Sequence, residues 1–319
     1  MIWRFQTRGP VQCEPLYEPV EDVVYFGSND GALYKVKAAT GELVYRFYSA
    51  SEVARRPVLS GGTLFFTNAN DTIVAIDPRS GELKWSRHRT PAFGMEIAGY
   101  AGPAVAGGLV IVPFSDGQVV AYAAEDGKER WSIDLAGEAE SSASEAVKYL
   151  DADTTPVVAR TSQGLLAFVG VYAGGVYGLD VATGARVWGN ERARGVSELS
   201  LFDEPAGAPR RGGSPLPARR MLLAASGTTG LWALDLDEGK ELWRRALPDS
   251  GVSMPAQIAG AIAITTSRHG LYLLSAVDGA AIDGLDTGTG FFSSPAAFGR
   301  RILALSNGGQ LLSVHLDAP

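Results

Sequence analysis

Proton shuttling near neutral pH is the work of imidazoles, and this chain of 319 residues has three, His88, His269 and His315. His88 sits in an Arg-His-Arg run, His269 falls at a turn position and His315 lies beside the C-terminus. A hydrolase needs a nucleophile with a positioned base, and no G-x-S-x-G, H-E-x-x-H or G-x-x-x-x-G-K-[ST] pattern supplies one. All three are therefore read as surface or turn residues, and no catalytic residue is expected. Cys13 is the single cysteine, which excludes an intramolecular disulfide and a thiolate zinc cluster. Asp30, Asp71 and Asp116 carry oxygens suited to a hard cation, yet each occupies the same turn of a different copy of a repeat. They are expected to accept turn amides, with no metal and no cofactor bound.

Charge narrows the partners. Twenty-eight Lys and Arg stand against 35 Asp and Glu, a formal charge of −7, and a nucleic-acid binder would need a basic face. Hydrophobic residues at 46% and charged residues at 20% describe ordinary globular usage. Glycine, 39 residues, is well above the typical share of about 7% and demands many tight turns. A long uncharged stretch, residues 161–179, is long enough for a membrane span, but its repeated glycines and Gln163 argue against one. The first residues, Met1 to Gln6, lack the basic start and apolar run of a signal peptide.

The elements that must position these residues follow from self-similarity. One unit recurs: a β-rich run, a small-residue turn, a second β-rich run, a Thr/Ser/Asp-Gly turn, and an aromatic four residues after that glycine. The clearest copy runs from Val23 to Gly41 and is followed by Tyr45. Later copies place the turn glycine at Gly81, Gly127, Gly184, Gly239 and Gly279, at spacings of 40, 46, 57, 55 and 40 residues. A period near 40 built from alternating strands marks propeller blades. Most copies open with a proline, Pro15, Pro57, Pro103, Pro156, Pro255 and Pro295, tolerated at a strand start.

The aromatics Tyr45, Trp85, Trp131, Trp188 and Trp243 are expected to dock one blade on the next, while the sixth copy offers Asp283 instead. A seventh copy, Pro295 to Leu316, stops before that position. Ile2-Trp3-Arg4-Phe5 is expected to supply its fourth strand, with Trp3 as the docking aromatic, closing the ring and removing two strand edges. The expected fold is all-β, a single propeller domain over 1–319 with seven four-stranded blades, or eight if the N-terminus is truncated. Surface insertions are expected near 137–149 and 203–220, the latter an Arg-rich solvated loop. Trp232 lies one strand earlier than its kin.

The unit Ser-x-Asp-Gly-x-Leu-x-x-Leu-Asp-x-x-Thr-Gly-x-x-x-Trp resembles the pyrroloquinoline-quinone-type propeller repeat over essentially the whole chain. A more discriminating segment, Leu150-Asp151-Ala152-Asp153-Thr154-Thr155-Pro156-Val157-Val158, is similar to the run that opens a central blade in the BamB-type outer-membrane protein assembly factors. The linker Met95-Glu96-Ile97-Ala98-Gly99-Tyr100-Ala101-Gly102-Pro103 is similar to the BamB linker that touches the central barrel protein, with Ala98 where that family has arginine. The resemblance implies a non-enzymatic scaffold that assists insertion of β-barrel proteins. Its contacts with a BamA-like barrel assembly protein would run through Met95, Ile97, Asp151 and Asp153, and unfolded outer-membrane protein strands are a second implied partner. It also implies a periplasmic location, with membrane association only through an anchor absent from this chain, because no lipobox precedes Cys13. Two other readings stay open: a quinone-dependent oxidoreductase, and a ligand-sensing propeller cut from a larger receptor or kinase.

Overall fold

The structure is a computed structural model and describes residues 2–91, 101–135, 152, 154–204, 218–247 and 251–317. Every named element is a β-strand, and no helix among the described residues is long and apolar enough to cross a membrane. The strands form seven antiparallel meanders, each with its strands hydrogen-bonded in sequence order. Sheets one to seven span residues 16–48, 58–88, 104–134, 157–190, 196–245, 256–286 and 296–315. Six have four strands and the seventh has three. Residues 2–5 belong to no named strand, so the fourth strand expected there is not paired in the seventh sheet. The chain divides into two compact units, residues 1–158 with 181–185, and residues 159–180 with 186–319.

Burial follows strand position. The second strand of sheet two, Thr63–Asn68, is buried throughout, while its fourth, Leu83–His88, exposes all but Trp85 and, in part, Arg87. Inner strands are covered on both faces and therefore read as unbroken apolar or β-branched runs. The cores lie between consecutive sheets: Phe65, Ile73, Ala75 and Trp85 of sheet two pack with Val110, Val112 and Phe114 of sheet three. Sheet seven differs, because Arg301–Leu305 alternates exposed and buried residues. Ile302 and Ala304 face the core shared with sheet six, and Leu305, Leu311 and Phe298 are exposed.

A recurring latch joins the sheets. In the turn before each fourth strand the glycine takes positive φ, between 66° and 76° at Gly41, Gly81, Gly127, Gly184, Gly239 and Gly279, and its amide commonly bonds the carbonyl four residues back, as Gly127 does to Ala123 at 2.9 Å. The carbonyl three residues before the glycine is thus left pointing outward. Trp3, Trp85, Trp131, Trp188 and Trp243 donate their indole N–H to Ala38, Ala124, Val181, Leu236 and Ala276 at 2.7 to 3.1 Å, and the Tyr45 hydroxyl donates to Pro78. Each ring then lies on the turn glycine itself: a Cβ on Gly184 would stand 2.5 Å from the Trp131 ring. A β-bulge in every third-to-fourth strand pairing sets the aromatic opposite one residue, and that residue is Ala75, Ala121, Gly178 or Ala233 beneath the four later tryptophans. Small side chains there leave room for the indole. Sheet one departs, since Tyr45 pairs with Lys35, whose buried ammonium, ion-paired to Glu21 at 2.6 Å, also donates to Pro78.

Candidate partner-docking surface

The connections that run into the opening strands of sheets three and four are the linkers on which docking is expected. Met95 and Ile97 lie outside the described residues, as do Asp151, Asp153, residues 137–149 and residues 205–217, while the ends of the loop expected over 203–220, residues 203–204 and 219–220, belong to strands. The described residues that flank the linkers are tied to one another. Cys13, before sheet one, directs its thiol to the Arg55 carbonyl before sheet two at 3.1 Å. Arg55 Cβ would lie 3.3 Å from a Cβ on Gly102, before sheet three. The Gly102 amide donates to Thr155 Oγ1, before sheet four, at 2.9 Å. Thr67 Oγ1 donates to the Ala101 carbonyl at 2.7 Å, and the buried Ala152 donates its amide to Phe114 O at 3.4 Å. The linker before sheet three and the one before sheet four therefore end side by side.

Neighbouring acids separate into two roles. Asp30 accepts from the Arg8 and Ala32 amides and from the Tyr34 hydroxyl. Burial would raise its carboxyl, but the hydrogen bonds from Tyr34 and Arg8 outweigh it and hold it below the usual range. Asp116 likewise caps its own turn at the Gln118 amide. Asp71 does not. Asn68 has taken over the cap, accepting from the Asn70 and Thr72 amides, and Asp71, at φ 46°, turns to the amide and hydroxyl of Ser115 in the next sheet. Burial pushes the Asp71 carboxyl up despite those two donors. The signal that could have found this second role is register: Asp71 stands where sheets one and three have Gly31 and Gly117, while Asn70 takes the position of Asp30 and Asp116.

The residues considered for chemistry are dispersed. His88 and His269 are exposed, as is His315 at the end of its strand. His88 Nδ1 lies 3.0 Å from Asn70 O and 3.1 Å from Thr72 Oγ1. Burial pushes the Cys13 thiol up to about 11, which removes its thiolate character. Trp232 is buried, donates to Thr229 Oγ1 at 2.8 Å, and carries Arg244 over its ring at 4.8 Å. In the second unit, Arg160, Ser162, Arg220, Asp235 and Asp237 line a cavity of ≈ 320 Å³, but its polar groups answer one another. Ser162 donates its amide and hydroxyl to Asp237, Asp235 caps the Asp237 and Glu238 amides, and Arg220 pairs with Asp203 at 2.9 Å. No group of three or more metal-capable side chains occurs among the described residues.

Sheets of this topology, joined by an aromatic latched onto a glycine turn, define the class of the protein: a β-propeller. A solved structure, that of BamB from Moraxella catarrhalis, has the same fold, with a TM-score of 0.76 and 19% identity over 98% of this chain and 88% of that one. The sequence model of the family described as outer membrane protein assembly factor BamB matches residues 1–173 and again residues 155–284, and the chain belongs to that family. Among its relatives, the outer membrane protein assembly factor BamB of Yersinia pestis is 27% identical over 290 residues, 90% of this chain and 67% of the relative. More distantly, a tetrathionate hydrolase of Acidithiobacillus ferrooxidans is 22% identical over 251 residues, 74% of this chain and 46% of that enzyme.

Proposed function

We propose that this chain is a non-enzymatic scaffold subunit of an outer-membrane protein assembly machine, located in the periplasm and bound to a BamA-like barrel assembly protein. The observation that carries the reading is the hydrogen bond from the Gly102 amide to Thr155 Oγ1, which roots the linker bearing Met95 and Ile97 beside the one bearing Asp151 and Asp153. An apolar anchor and a carboxylate pair leaving one place suit a partner surface with an apolar pocket and an arginine, since desolvated anchors dominate binding and charge steers encounter. Charge distribution supports this reading. The first unit, which contains both linkers, holds fourteen Lys and Arg against twenty-one Asp and Glu, a balance of −7 that equals the whole chain's, so the second unit is neutral. A cationic partner is the complement. The latched aromatics Trp3, Tyr45, Trp85, Trp131, Trp188 and Trp243 serve as structural docking residues that keep the linker roots in register. Exposed edges of the blades are a second proposed surface, for extended strands of client proteins.

Similarity to an enzyme, the tetrathionate hydrolase, is what favours a catalytic alternative. The dispersed, exposed imidazoles, the raised thiol and the occupied turn aspartates speak for the scaffold. The test is the double change Asp151→Ala with Asp153→Ala, measured against the soluble part of the BamA-like protein. Capture is expected to weaken by at least about 2 kcal/mol with a smaller salt dependence of the on-rate, while the melting temperature stays near that of the parent. Undiminished capture, or unfolding of the double variant, would make those aspartates structural and overturn the assignment.

A further inference from the structure

We infer that Arg89 and Asp116, backed by the buried Asp71–Ser115 pair, form a brace that sets the two linker roots relative to each other. They are positioning residues for docking, and the inference rests on the docking reading above. Arg89 directly follows the last strand of sheet two, and its amide donates to Asp71 O at 3.0 Å. Its guanidinium gives two hydrogen bonds to one oxygen of Asp116, 2.7 Å from Nη2 and 3.2 Å from Nε, and lies over the Phe114 ring at 5.5 Å. Phe114, Ser115 and Asp116 form the turn whose first carbonyl receives the Ala152 amide. One turn of sheet three therefore holds the start of the linker before that sheet and the end of the linker after it.

The other end of the first linker is fixed independently, by Thr67 at the Ala101 carbonyl and by Thr155 at the Gly102 amide. With both roots of one linker and the end of the other joined in a closed set of contacts, less conformational freedom remains to be lost on binding. The brace is not what holds sheets two and three together. That is done by the apolar core between them, in which Phe65, Val110, Val112 and Phe114 are at most 2% exposed, and by the Trp85 latch on Ala124. The Arg89 and Asp116 side chains keep 31% and 25% of their exposure. A partly desolvated, charge-assisted pair in that setting orients more than it stabilises.

The experiment compares Arg89→Gln, Asp116→Asn, their combination and Asp116→Glu in the full chain. Two readouts are taken: amide hydrogen exchange at Gly102 and Ala152 without partner, and capture of the soluble part of a BamA-like protein. Asp116→Asn and Arg89→Gln are each expected to speed exchange at Ala152 and to weaken capture by about tenfold, with the combination no worse than either alone, because both remove one interaction. Asp116→Glu, which keeps the carboxylate, is expected to restore capture to within about twofold of the parent. Faster exchange with unchanged capture would overturn the positioning role, as would additive losses in the combination or a melting temperature that falls along with capture. Failure of the docking reading looks different: the parent chain would then capture nothing, while the exchange readout still responds to Asp116→Asn.

Discussion

At Trp131 and Gly184 one side chain and one missing side chain meet. The indole is 9% exposed, donates to Val181 O at 2.9 Å, and lies where a Cβ on Gly184 would be 2.5 Å from its ring. Burial of an indole, on the order of 150–250 Å² at about 25 cal/mol per Å², is worth roughly 4–6 kcal/mol before entropy is counted. Trp131→Ala is expected to cost about 3–5 kcal/mol in denaturant melts. Gly184→Ala suffers twice, from the left-handed backbone at φ 74° and from collision with the ring. Only the collision disappears when the tryptophan is gone. In a double-mutant cycle Gly184→Ala should therefore cost clearly less in the Trp131→Ala background, down to the roughly 1–2 kcal/mol of the backbone alone. Strict additivity would mean that ring and glycine do not touch.

The N-terminal segment repeats the fourth-strand pattern: Ile2-Trp3-Arg4-Phe5 against Val44-Tyr45-Arg46-Phe47. Trp3 makes the same latch as its counterparts, to Ala38 O at 2.7 Å and onto Gly41, and Phe5 meets Phe26 and Tyr34 edge-on at 5.9 and 5.5 Å. As an element it has the latch without a named sheet of its own. Trp3 is also only half-buried. Trp3→Ala is accordingly expected to destabilise by about 2–3 kcal/mol, less than Trp131→Ala but well above a surface change. A neutral result in urea melts would make residues 2–5 a loose tail, and a loss equal to that at Trp131 would mean that they are packed as fully as a fourth strand.

Acid stability belongs to the molecule as a whole, because many carboxylates contribute with opposite signs. Hydrogen bonds from the Ser80 and Arg79 amides hold Asp77 below the usual range, and bonds from Ser162 do the same for Asp237. Groups of this kind add stability above their unfolded pKa of about 3.9, and that stability is lost as pH falls through their lower folded values. Asp71 runs the other way. Its folded carboxyl is raised by burial, so its contribution is complete below about pH 3.9 and is lost as pH rises through the higher folded value. The parent should lose stability on acidification, and Asp71→Asn should lose it more steeply, having given up an opposing term. Melting temperatures taken from pH 6 to pH 3 check this, and parallel curves for parent and variant would refute it.

Periodicity and turn chemistry are local, which is why the repeat, its glycines and its aromatics were all legible in the linear chain. A glycine four residues before a tryptophan needs positive φ wherever the chain goes, and strands covered on both faces must read as apolar runs. The family could be named from residues 150–158 for the same reason, since a short run of side chains is a property of the chain alone. The small partners beneath the indoles, Ala75, Ala121, Gly178 and Ala233, were written in the sequence too, but only the bulged register says that they lie opposite the rings. Asp71 shares the turn of Asp30 and Asp116 but stands one residue later, where sheets one and three have Gly31 and Gly117. That offset is local, but only packing of sheets two and three brings Asp71 to Ser115. The meeting of Gly102 with Thr155, 53 residues apart, and of Arg89 with Asp116 likewise exists only once the sheets are packed. The sequence by itself determined the blades and the residues able to latch them; tertiary packing decided which linkers meet, because linker convergence depends on how twisted sheets stack and not on any residue's own preference.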